Sequence, residues 1–144
     1  MTSTLTAPQT HTHDEKQVRQ LIADQTSAIC AKNLEQLIAC YAKDAVLFDM
    51  KPPLQLQGVE AIHQMWAACL PCMPNASGTE AQDLSVTVSG DLALAHWIFR
   101  FAGIDSAHPA TQMWFRVTAG YRKHQGQWQI VHEHCSIPFD PTRG

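Results

Sequence analysis

The stretch WQIVHEHCSIPF, Trp128 to Phe139, sets His132, His134 and Ser136 at every second position near the end of the chain. In an extended strand residues two apart share a face, so Ile130, His132, His134 and Ser136 stand on one side and Val131, Glu133 and Cys135 on the other. A neutral imidazole on a buried face needs a hydrogen-bond partner, and leaving it without one costs about 1–3 kcal/mol. Three chemistries fit the pair. The rings are lining, satisfied by Ser136, another polar side chain or water; or one of them moves a proton together with a carboxylate; or the two form half a metal site that a carboxylate completes. No His-x-x-Glu-His or similar spacing supports the last, so neither a metal nor a cofactor is expected.

Five cysteines offer a second place for chemistry. Cys30, Cys40 and Cys135 read as small core hydrophobes. Cys69 and Cys72, in CLPC, have the spacing of a redox pair or half a metal clip, but no strand runs into them as a thioredoxin-like motif requires and no second pair completes a clip. The odd count leaves one cysteine over in any disulfide scheme, and all five are expected as thiols.

These residues must be held by one domain. A chain of 144 residues, 45% hydrophobic and 16% charged with a formal net charge of −3, has the make-up of an ordinary globular protein with one core. It lacks the basic field that a nucleic acid would need. No apolar run is long enough to cross a membrane, and the start MTSTLTAPQTHTHDE lacks the basic and apolar parts of a secretory signal, so the cytoplasm is the expected compartment.

Residues 1–13 carry no hydrophobic period and are expected to be disordered, with a domain over 14–139 and a tail over 140–144. From Asp14, Val18, Leu21, Ile22, Gln25, Ala28 and Ile29 recur at three and four, which predicts an amphipathic helix. NLEQLIACYA predicts a second, capped by Asn33 and carrying Tyr41 on its apolar face, and VEAIHQMWAACL a third with Trp66 on its face. DAVLFDM reads as a short strand between the second and third helices, ended by Pro52 and Pro53. After PCMPNASG the period switches to two, and four strand-like runs follow, the last two joined by Gln-Gly-Gln. Helices followed by a meander predict an α+β fold with a curved antiparallel sheet packed around three N-terminal helices.

The order of these elements, with AKNLEQLIACYAKDAVLFDM and the closing YRKHQGQWQIVHEHCS, resembles the nuclear transport factor 2-like superfamily, in its SnoaL-like and ketosteroid isomerase-like branch. The resemblance runs from Asp14 to Phe139. It implies a cone whose sheet wraps the helices around an apolar cavity open at one end, and a homodimer through the back of the sheet. Matching Gln-Gly-Gln to the family's hairpin turn places Ile130, His132, His134 and Ser136 toward the cavity, with Val131, Glu133 and Cys135 outward. The same matching brings in Trp97, Phe99 and Phe101 from one strand and Phe115, Val117, Ala119 and Tyr121 from the next. Tyr41 and Trp66 join from the helical layer, and Asp49 stands at the mouth.

Asp49 lies where the isomerase-like relatives carry the aspartate that shuttles a proton. Gln25 stands where they have tyrosine and Ala119 where they keep a protonated aspartic acid, so their pair of oxyanion donors is missing. The resemblance therefore implies a small-molecule-binding domain: an acid–base isomerase, cyclase or dehydratase for an apolar cyclic or carbonyl compound, with Asp49, His132 and His134 as catalytic candidates. The alternative is a non-catalytic module that binds a ligand in the cavity or a partner on the sheet. Trp114, His96, Arg100, Val131 and Cys135 are expected on the outer face that meets a second copy.

Overall fold

The computed structural model describes residues 12–104 and 113–142. Most of the lead expected over 1–13 lies outside that range, but Thr12 and His13 do not. Thr12 caps the first helix, its hydroxyl accepting from the Glu15 amide at 3.1 Å, and His13 begins it. Helix α1 spans His13–Cys30, with Asp14 and Glu15 in the first turn, where the exposed amides favour negative charge. Asn33 caps α2, Leu34–Ala39, by accepting from the Gln36 amide.

Here the first difference from the sequence reading occurs. The helix stops at Ala39, and Tyr41 is the first residue of strand β1, Tyr41–Phe48. Tyr41 thus reaches the interior from the sheet and not from the helical layer. A two-residue strand β2, Leu56–Gln57, returns beside β1, and Gly58 at φ +88° turns the chain into α3, Val59–Cys69. Only glycine adopts that φ without strain. A turn of 3₁₀ helix, Leu70–Cys72, precedes β3, Gly78–Ser89, β4, Leu92–Ala102, β5, Phe115–His124, and β6, Gln127–Ser136. Gln125 and Gly126, both at positive φ, close the β5–β6 hairpin as a two-residue turn whose twist suits the strands.

The strands form one curved sheet in the order β2-β1-β6-β5-β4-β3. The fold is the expected α+β arrangement, with one addition: β1 and β6 run parallel, because the whole α3 and meander segment separates them in the chain. Helix α1 lies across the concave face and buries Val18, Ile22, Gln25 and Ala28 against it. Asp14 fastens the start of that helix to the β5–β6 hairpin, accepting from Lys123 Nζ at 3.0 Å and Trp128 Nε1 at 3.3 Å. Among the described residues no helix is long and apolar enough to cross a membrane.

The sheet bends at three register shifts. One decides the site. Gly120 pairs with His132 but Tyr121 with Ile130, so β6 carries one residue more than β5 at this step, and that residue is Val131. Because the side-chain period of a strand is two, one extra residue inverts every position beyond it. Trp128 and Ile130 face inward before the bulge, Glu133 and Cys135 after it. The glycine opposite is the mark such a bulge leaves in a sequence.

Ile130 is fully buried beside the bulge. Ile130→Ala should therefore lower the stability by about 2–5 kcal/mol, read as an earlier midpoint in urea with an unchanged slope. A loss below about 1 kcal/mol would contradict the packing described.

Candidate functional site

A cavity of about 300 Å³ lies between the concave face of the sheet and helices α1 and α3. That is the lower end of the range for small-molecule sites. Its walls are aromatic and sulfur-rich: Phe99 stacks on Phe115 at 5.1 Å between ring centres, Phe101 meets Phe99 edge-on at 5.6 Å, and Met65, Cys69 and Cys135 are also in contact with the space. The charged groups that reach it are Asp49, Lys51 and Glu133.

Glu133 is only 6% exposed, and both of its oxygens are held. Tyr41 Oη donates to Oε1 at 2.8 Å, and Gln25 Nε2 donates to Oε2 at 2.7 Å. Behind them Trp66 Nε1 donates to Tyr41 Oη at 3.2 Å, and the Gln25 amide also approaches that oxygen at 3.3 Å. The tyrosine can therefore turn its own hydrogen only toward the carboxyl. Two opposing effects set the acidity of Glu133. Removal from water disfavours the anion and dominates, raising the pKa above the ordinary glutamate value; the hydrogen bonds from Gln25 and Tyr41 pull it down, and the charge of Asp49 pushes it up again. Burial, then the neighbouring Glu133, likewise raises Tyr41. The Cys135 thiol is pushed up to about 12, mainly by burial and then by Glu133 and Asp49. It is a neutral wall group at physiological pH.

Of the residues singled out in the sequence, Asp49, Trp66, Trp97, Phe99 and Val117 line the cavity. Tyr41 stands behind Glu133 as its donor. Tyr121 and Ile130 are fully buried but belong to the packed core and not to the cavity wall. The Tyr121 hydroxyl has no hydrogen-bond partner among the described residues, and burial raises its pKa.

His132, His134 and Ser136 do not face the cavity, and the bulge at Val131 is the reason. His132 Nδ1 lies 2.8 Å from the Val46 carbonyl; a carbonyl can only accept, so the proton sits on Nδ1. Both imidazoles meet the Phe48 ring edge-on, at 4.7 and 5.5 Å, and His134 is exposed. Ser136 Oγ accepts from Arg116 Nε at 3.2 Å on the outer face. The residues that take their place, Glu133 and Cys135, are the two assigned outward by simple alternation. Two signals pointed to them: Gly120 inside a strand pattern, and Gln25 as a polar residue on the apolar stripe of α1. Among the described residues no three metal-ligating side chains converge.

Ala119 pairs directly with Glu133 across β5 and β6. Cross-strand neighbours have Cβ atoms about 5 Å apart, so the small alanine leaves the interior side of this pair to the longer glutamate. A carboxyl on β6 thus stands opposite an alanine on β5.

The elevated pKa predicts a signature in stability. Below the ordinary glutamate value of 4.5 Glu133 is protonated in both folded and unfolded chains and contributes nothing. As pH rises from there toward the higher folded pKa, the unfolded chain loses the proton first, so stability falls; above the folded pKa the loss is complete. Glu133→Gln removes this dependence. The stability of the wild-type protein measured against the variant in urea should decline through that window and then level off, whereas parallel curves would contradict a raised pKa.

The SnoaL-like domain model matches residues 18–140. An NTF2-like protein of unknown function from Pseudomonas putida KT2440 is 38% identical, superposes with a TM-score of 0.82, and is covered over 92% of each chain. A cystatin-like fold protein from Nostoc punctiforme is 17% identical with a TM-score of 0.75, covering 92% of this chain and 95% of the other. A ketosteroid isomerase-like protein from Erwinia carotovora atroseptica is 16% identical with a TM-score of 0.72, covering 90% of this chain and 100% of the other, and shares the fold. No curated protein sequence matches the chain. With a family model spanning nearly the whole domain and a close structural relative at that identity, the chain belongs to the SnoaL-like family of the nuclear transport factor 2-like superfamily.

Proposed function

We propose that the protein is an acid–base isomerase, cyclase or dehydratase for a small apolar carbonyl compound, in which Asp49 takes and returns a proton and Glu133 is a neutral hydrogen-bond donor. The observation that carries this reading is the Glu133 carboxyl, buried opposite Ala119 in an apolar cavity that Asp49 also lines. A carboxylic acid kept neutral by such a site can donate to the oxygen that gains charge as an enolate forms. Two carboxyl groups in unlike surroundings divide the labour: the more exposed one works as the base, the desolvated one as the donor. Tyr41 holds Oε1 of Glu133 and Gln25 holds Oε2, so the proton takes the second lone pair of one of these oxygens. This assignment moves the catalytic role from the histidines of the outer side to Glu133.

The test is exchange of acidic α-hydrogens for deuterium in a panel of small cyclic and aromatic ketones. Asp49→Asn should slow the exchange by about 10²–10⁴-fold. Glu133→Gln, which keeps a donor and the shape, should lose less than the 10²–10³-fold typical of removing an oxyanion donor. Exchange by the wild-type protein no faster than in buffer would replace the enzyme reading by a ligand-binding module, and full turnover in both variants would take the chemistry away from Asp49 and Glu133. One observation favours that second reading: both Glu133 oxygens already accept internal hydrogen bonds, which is what a purely structural pin would show.

We further propose a homodimer through the outer face of the sheet. Leu94 is 52% exposed there, in the same strand face as His96, and Arg100 covers the Trp114 ring at 4.8 Å. Leu94→Glu should give a monomer by sedimentation at micromolar concentration, while a monomeric wild-type protein would contradict the interface.

A further inference from the structure

The CLPC segment is not used by the proton chemistry, yet it forms part of the cavity's edge. Helix α3 ends at Cys69, and Leu70, Pro71 and Cys72 continue it as one turn of 3₁₀ helix. Cys69 is half-buried and lines the cavity; Cys72 is exposed and does not. Both are free thiols. Cys69 and Leu70 have helical dihedrals, φ −84° and ψ −44°, then φ −54° and ψ −44°. A helical path of this kind sets Cα atoms three apart at roughly 5–6 Å, between the α and 3₁₀ values, with both side chains on one side. A disulfide needs Cα atoms about 4.4–6.8 Å apart, so the bond can close with little movement of the backbone.

The turn is also held from outside. Leu70 is 3% exposed and anchors it in the core. The Met73 amide donates to the Leu70 carbonyl at 3.2 Å, and Lys32 Nζ donates to the Met73 carbonyl at 2.7 Å, joining this turn to the end of α1. Pro71 stiffens the middle of it. Closing the ring therefore costs little chain entropy, because the four residues are already ordered.

We propose that Cys69 and Cys72 are a reversible dithiol–disulfide site that tunes the cavity. The exposed Cys72, as thiolate, attacks a small-molecule disulfide, forming a mixed disulfide and releasing one small thiol. Cys69 then attacks the Cys72 sulfur, forming the protein disulfide and releasing the second small thiol. Two protein thiols are oxidised and one small disulfide is reduced, so electrons and protons balance. The bond draws the Cys69 sulfur from the cavity wall to the rim and removes one of the polarisable contacts available to an aromatic ligand. Binding and oxidation are then linked reciprocally: a ligand that touches Cys69 favours the dithiol, and the disulfide weakens the ligand. This inference uses the cavity alone and stands whether or not Asp49 and Glu133 turn over a substrate.

The test treats the reduced full-length protein with glutathione disulfide, alkylates remaining thiols, and maps the peptides by mass spectrometry. The expected product is a peptide with Cys69 and Cys72 joined, lighter by two hydrogens and unalkylated. Glutathione attached to Cys72 with Cys69 still free to alkylate would overturn the proposal. Naphthol affinity, followed by its fluorescence, should fall by about fivefold or more on oxidation, a shift at the low end of measured coupling between sites. Cys72→Ser should bind naphthol as the reduced wild-type protein does and show no response to the disulfide. Equal affinity in the two redox states, or no binding to the reduced protein, would equally overturn it.

Discussion

The hydrogen bonds from Tyr41 and Gln25 to the Glu133 carboxyl tie α1, β1 and β6 together at the one buried carboxyl among the described residues. A charge in that position without partners would cost several kcal/mol, which is why each oxygen has its own donor and why Trp66 supports the tyrosine. Two donors do not make up for the loss of water, so the proton stays on Glu133 to a higher pH than on an ordinary glutamate. The proposed chemistry rests on the same compromise. A carboxyl that holds its proton beyond the ordinary glutamate range is the kind that can donate to a reacting oxygen.

Which residue occupies that point depends on Val131. The extra residue in β6 turns Glu133 and Cys135 to the cavity and leaves His132 and His134 against Phe48. Gly120 on the neighbouring strand faces the bulge, and Ala119 beside it yields the interior side of its pair to Glu133. The polar part of the cavity thus follows from a local irregularity in one hairpin. The apolar part does not: Trp97, Phe99 and Val117 stand on stretches of β4 and β5 whose mutual register is unbroken.

That contrast explains what could be read from the sequence. The periods of three and four over Val18 to Ile29 and over Val59 to Leu70 identify their helices, and the period of two locates the meander and its Gln125-Gly126 turn. Asn33 announces α2 by its capping position. Alternation also finds the aromatic wall, because it holds wherever the register is regular. It fails for His132, His134 and Ser136, since a count by twos carried across a bulge gives the wrong face. Tyr41 departs from its sequence pattern for a different reason: its spacing from Leu37 and Ile38 is helical, but the parallel pairing of Tyr41 with Ile130 draws it into the sheet. That pairing spans most of the chain and leaves no local trace.

The central claim is that Glu133 keeps its proton in the cavity to a higher pH than an ordinary glutamate does. The most direct measurement is a carbon NMR titration of protein labelled at the glutamate carboxyl carbons, with Glu133→Gln to assign the resonance. The account predicts that the Glu133 signal titrates above the ordinary glutamate value of 4.5 and moves to lower pH in Asp49→Asn, where the neighbouring charge is gone. A Glu133 signal that titrates at or below 4.5 would mean that the donors outweigh burial, and the carboxyl would be a structural anion with no proton to offer.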